Sequence, residues 1–105
     1  MVYEVYLTPK ARKDLIDLDS AGYGQKATAL LNILAENPFQ NPPTYEKLSG
    51  KKKGTYSRRI NAEHRLVYEV RPSEDENFQG MVVVIRMRTH YKGIIPVIIF
   101  GSLIF

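Results

Sequence analysis

With 105 residues, 44% hydrophobic and 25% charged, the chain has room for one small core and is too apolar to remain disordered. Without cysteine it has no disulfide framework, thiolate nucleophile or Cys-ligated zinc, and its two histidines, His64 and His90, lack metal-ligand spacing, so neither metal nor cofactor is expected. The net charge of +4 is unevenly placed: residues 1–43 carry four basic and five acidic side chains (net −1), residues 44–92 eleven basic and six acidic (net +5), so a polyanionic partner would meet the second half.

The N-terminal residues alternate, Val2, Glu4 and Tyr6 against Tyr3, Val5 and Leu7, which predicts a strand and not a secretory signal, so a cytoplasmic protein is expected. Thr8 is placed to cap a helix with Pro9 at its first position, where the missing N–H costs nothing. Ala11, Leu15 and Leu18 give that helix an apolar stripe, and it should stop near Gly22. A second helix carries Ala27, Leu30, Leu31 and Leu34 between Gly24 and the stop at Asn37-Pro38.

From Pro38 to Gly54 the chain is rich in Pro, Asn, Gly and Lys and reads as a long loop containing Glu46. Three strand-like runs follow, about 54–61, 65–71 and 80–90, joined by a tight turn at Asn61–His64 and a longer one at Pro72–Gln79. In the second run Leu66, Tyr68 and Val70 share one face. In the third, Met81, Val83, Ile85 and Met87 are expected in the core, with Arg86, Arg88 and His90 on the opposite, solvent-facing side. The expected fold class is α+β: an N-terminal strand and two helices packed on a twisted antiparallel sheet.

Cleaving RNA without a metal needs a base for the 2′-hydroxyl, fixed cations for the phosphorane charge, and an acid for the departing 5′-oxygen. Glu46 is the one carboxylate between Glu36 and Glu63, set among Lys47, Lys51, Lys52 and Lys53; it is either an acceptor held ready or a solvated loop residue. Arg59 and Arg65 could fork onto phosphate oxygens or pair with Glu63 or Glu69. His90 could protonate a leaving oxygen, and Tyr91 could stack on a base or hold phosphate; a strand-end structural role is the alternative for the histidine. His64 reads as turn structure or a strand cap, and Lys51-Lys52-Lys53 as a generic polyanion contact or a solvated loop.

The block from Tyr56 to Tyr68, YSRRINAEHRLVY, followed by Thr89-His90-Tyr91, closely resembles the Txe/YoeB family of toxin–antitoxin modules within the RelE superfamily. Asn37-Pro38-Phe39, Pro42-Pro43 and Tyr45-Glu46-Lys47-Leu48 with Gly54 fit the same pattern, so residues 1–91 are expected to form a RelE/YoeB-like, microbial-ribonuclease-like domain. The resemblance implies a toxin that cuts mRNA in the A site of the 70S ribosome. It implies Glu46 as general base, His90 as general acid, Arg65 at the transition state, Arg59 on phosphate and Tyr91 positioning substrate. Lys47, Lys51, Lys52, Lys53, Arg58 and Arg88 are the further candidates for RNA contact. It also implies a cognate antitoxin, usually of the Phd/YefM type, whose acidic segment would match the basic half.

Two features depart from the family: Ser49 stands where a lysine is usual, and residues 92–105 extend past the His-Tyr pair as an apolar tail. The tail is too short to span a bilayer, so no membrane association is expected. It could add an edge strand, bury itself on the helices, form a homodimer or be a disordered, aggregation-prone extension, and the expectation is that it packs beside the active site and restricts access. Two rival functions stand beside the nuclease: a non-catalytic RNA- or antitoxin-binding module, and a ParE-like topoisomerase poison on the same fold.

Overall fold

The computed structural model describes residues 2–48 and 54–88. In chain order the elements are β1 (Val2–Leu7), α1 (Pro9–Ser20), α2 (Gly24–Glu36), β2 (Tyr45–Lys47), β3 (Thr55–Arg59), β4 (Arg65–Arg71) and β5 (Phe78–Arg86). The strands form one five-stranded sheet in the order β1-β5-β4-β3-β2. Strands β2 to β5 make an antiparallel meander, while β1 pairs parallel with β5 after the crossover through both helices. The α+β architecture is as expected, with one parallel pair and one extra strand. That strand, β2, rises from the segment read as a continuous loop.

Thr8 joins the first strand to the first helix. Its hydroxyl accepts from the Ala11 N–H (3.1 Å) and donates to the Ile85 carbonyl (2.9 Å), so the N-cap also ties α1 to β5. The helix ends where Gly22 turns to φ +94°, a conformation that glycine adopts without steric cost, and the Tyr23 N–H reaches back to the Leu18 carbonyl at 2.8 Å. Between β3 and β4, Asn61 Oδ1 accepts from the backbone N–H groups of Glu63 (2.8 Å) and His64 (2.6 Å), closing the tight turn.

The core lies between the helices and one sheet face, formed by Ala11, Leu18, Ala27, Leu30, Leu34, Ile60, Leu66, Tyr68, Val82, Val84 and Met87. Tyr3, Val5 and Leu7 of β1 pack against it. The expected phase of β5 is therefore corrected: Val82 and Val84 are buried, whereas Met81, Val83 and Ile85 are half-buried. Register explains why Met87 still reaches the core. Val67 pairs with Arg86 but Tyr68 with Val84, so Ile85 is passed over and the alternation resets.

A carboxylate also sits on the buried stripe of α1. Asp14 is 4% exposed, and its Oδ2 accepts from the Met87 N–H (3.0 Å) and Arg86 Nε (2.8 Å), its Oδ1 from Arg86 Nη2 (3.1 Å). Arg88 adds a bond to Asp17 at 2.7 Å. The expectation that Arg86 and Arg88 share the solvent-facing side with other site residues is thus not met: both engage α1. Among the described residues no helix is long and apolar enough to cross a membrane. The tail, 92–105, and the expected strand beyond Arg88 lie outside the described residues.

Tyr68 couples the core to the loop ahead of β2, donating its hydroxyl to the Pro38 carbonyl at 2.7 Å. Burial pushes its ionisation up to about 12, against the opposing pull of the Arg58 cation. An unfolded chain releases that proton near pH 10, so the stability from the neutral phenol is intact below pH 10 and lost as pH rises towards 12. Urea unfolding across this window should show wild type losing about 2–3 kcal/mol more than Tyr68→Phe.

Candidate active site

Strand alternation and register place the site residues on the sheet face away from the helices. Glu46 of β2 stands opposite Ser57 of β3, Ser57 opposite Val67 of β4, and Arg59 opposite Arg65. Arg65 is the centre of this face. Its Nη2 donates to Glu46 Oε1 at 2.6 Å, and its Nε and Nη2 donate to Ser57 Oγ at 3.1 and 3.0 Å. The Arg65 side chain is 30% exposed and that of Glu46 64%, so a ligand can reach both. Arg65 pairs with Glu46, a partner outside the Glu63 and Glu69 considered from sequence.

Arg59 is exposed and makes no ion pair with another described residue. Directly opposed like charges destabilise an antiparallel pair, so the Arg59–Arg65 register is a local cost to folding. An anion lying across both guanidiniums would remove it.

The other basic candidates divide by strand phase. Arg58 follows the opposite face and is 0% exposed: Nη1 donates to the Pro43 carbonyl (2.6 Å), and Nη2 to those of Pro38 and Gln40 (both 2.9 Å). It has no surface from which to contact RNA, which corrects its assignment to that role. Lys47 is exposed but alternates with Glu46, on the side of Tyr45 and Tyr56. Arg88 is engaged by Asp17 on α1, away from the Glu46–Arg65 pair. Lys51, Lys52, Lys53, Ser49, His90 and Tyr91 lie outside the described residues.

Ser57 is the participant that sequence reading missed. Two positions before Arg59 in a strand, it had to share that residue's face. Among the described residues no three His, Asp or Glu side chains converge to hold a metal ion. The arrangement can bind an anion through two arginines and offer one carboxylate beside it as a proton acceptor.

A family profile described as YoeB-like toxin of bacterial type II toxin-antitoxin system matches residues 17–91. Toxin YoeB of Mycobacterium bovis is 37% identical over 67 residues, spanning 64% of this chain and 71% of the relative. The YoeB/ParE toxin from Agrobacterium tumefaciens superposes with a TM-score of 0.71 at 30% identity, covering 84% of this chain and 99% of that one. YoeB from Staphylococcus aureus, at 30% identity, matches over 85% of this chain and 98% of its own, with a TM-score of 0.65 as the YoeB-YefM complex and 0.66 as a YoeB dimer.

Because the Glu46–Arg65 pair is solvent-exposed, it should contribute little to folding. Thermal unfolding of Glu46→Ala should show a stability change below about 1 kcal/mol. A larger loss would give the pair a structural purpose.

Proposed function

This chain belongs to the YoeB-like toxins of bacterial type II toxin–antitoxin systems, and from that premise we propose that it is a ribosome-dependent endoribonuclease that cleaves mRNA in the A site. The observation that supports this most is the Arg65 guanidinium held against the Glu46 carboxylate and Ser57, with Arg59 opposed to it in register. A scissile phosphate competes with Glu46 for Arg65. As the guanidinium swings onto the non-bridging oxygens, the carboxylate is released to take the proton of the adjacent 2′-hydroxyl.

The 2′-oxygen then attacks phosphorus, Arg65 and Arg59 stabilise the charge on the pentacoordinate centre, and the 5′-oxygen departs with a proton from His90. The products are a 2′,3′-cyclic phosphate and a 5′-hydroxyl. Tyr91 orients the substrate, and Lys51, Lys52 and Lys53 supply non-specific attraction to the polyanion. No metal enters this scheme. Lys47 and Arg88 are left with at most peripheral RNA contacts, given the faces they occupy.

The partners proposed are the 70S ribosome with its mRNA and a cognate antitoxin of the YefM type, since the Staphylococcus aureus relative is found in a YoeB-YefM complex. A homodimer is proposed on the same relative's precedent. Such a substrate places the protein in the cytoplasm. The apolar residues 92–105 are proposed as an extension that packs beside the site and limits access.

Primer extension on translated mRNA tests the reading. Wild type should leave discrete breaks inside A-site codons, while Glu46→Ala, Arg65→Ala and His90→Ala should remain folded and lose about 10²–10⁴-fold in rate. Binding without breaks would favour the non-catalytic module, and inhibition of purified gyrase without RNA cleavage would favour the topoisomerase poison.

A further inference from the structure

We infer that Arg58 is a positioning residue for Glu46: its buried guanidinium sets the register of β2 on β3 and so decides that Glu46 faces Arg65. The inference rests on the reading above, in which Glu46 is the base.

Strand β2 is three residues long, at the edge of the sheet, and ladder bonds over such a length specify register weakly. A slip of one residue would turn Glu46 to the helix side and bring Tyr45 or Lys47 to the face of Arg65. What opposes the slip is a set of contacts centred on Arg58, the residue that pairs with Tyr45. The Arg58 Cζ lies 5.0 Å from the centre of the Tyr45 ring and 6.0 Å from that of Tyr68. The Tyr45 ring also packs against Phe39 and Tyr56, at centroid separations of 6.1 and 5.8 Å.

The same guanidinium fixes the chain that leads into β2. Its bonds to the carbonyls of Pro38, Gln40 and Pro43 hold three points of the incoming segment, the last of them two residues before Tyr45. Tyr68 adds a second donor to the Pro38 carbonyl. A planar fork that bonds several carbonyls while stacking on aromatic rings is a property of arginine; lysine offers a compact charge and cannot do both. Arg58 thus acts on the reaction through Glu46, from the side of the sheet that no substrate touches.

The test is a double-mutant cycle on cleavage of ribosome-programmed mRNA by the full chain, comparing wild type, Arg58→Lys, Glu46→Gln and the double variant. Arg58→Lys is expected to lower kcat at least roughly tenfold with KM nearly unchanged, and to add no further loss in the Glu46→Gln background. Additive losses, a loss confined to KM, or full activity of Arg58→Lys would each overturn the assignment. Tyr45→Leu removes the stacked ring and keeps the guanidinium; it should lower kcat in the same Glu46-dependent way. That variant decides the matter if Arg58→Lys does not fold, since full activity in it would also overturn the assignment. Full activity of Glu46→Gln would sink the base reading and this inference with it, whereas an inactive Glu46→Gln beside an active Arg58→Lys sinks this inference alone.

Discussion

A buried cation held by backbone carbonyls is the constraint on which the site depends. Arg58 is fully enclosed, and among the described residues its charge is met by three backbone carbonyls and two aromatic faces. Removing a guanidinium from water costs several kcal/mol unless its donors are satisfied, so the surrounding backbone comes to its two terminal nitrogens, while the buried Nε has no hydrogen-bond partner among the described residues. The segment from Pro38 to Pro43 does so, and the path it takes delivers Tyr45 and Glu46 to the sheet edge.

The opposite flank of the sheet is secured by the reverse charge arrangement. Asp14, buried on α1, accepts from Arg86 and from the Met87 N–H, and Asp17 accepts from Arg88. Removing Arg86 costs about 3–5 kcal/mol, because the surviving Asp14 carboxylate, 6% exposed, stays desolvated. Helix α1 is therefore more than a cover for the apolar face: it fixes the end of β5 just before the segment that carries His90 in sequence. The exposed Glu46–Arg65 pair spans β2 to β4 on the other sheet face, where it should contribute little to folding and is open to exchange one anion for another.

Much of this was legible in the chain. The cap at Thr8, the apolar stripes of both helices and the turn at Asn61 follow from side-chain chemistry within a few residues, and the structure has them where spacing predicts. Strand β2 was hidden because three residues among prolines, glycines and lysines carry no period of their own. The phase of β5 was misread because the skipped Ile85 is a property of two paired strands, invisible in either alone.

Within the site the same division holds. Adjacent residues in a strand face opposite ways, so Arg58 and Arg59 could not both meet one phosphate, and that signal was present and sufficient; the matching separation of Glu46 from Lys47 stayed hidden with β2. Asp14, spaced with Ala11 and Leu18 on the buried stripe, was a similar clue. The partnership of Arg88 with Asp17, 71 positions apart, was not readable from spacing. The family resemblance supplied what periodicity could not, namely that Glu46 and Arg65 belong together, and the structure joins them at 2.6 Å.

The register of β2 on β3 is the point on which all of this turns, and the absence of cysteine from the chain makes it directly measurable. Residues directly opposed in an antiparallel pair have Cα atoms about 4.5–5.5 Å apart, within disulfide range. Glu46→Cys with Ser57→Cys should close an intramolecular disulfide under mild oxidation, seen as a mass loss of about two hydrogens and faster non-reducing migration. Closure by Lys47→Cys with Ser57→Cys instead, while the first pair stays reduced, would contradict the register and remove Glu46 from the face of Arg65.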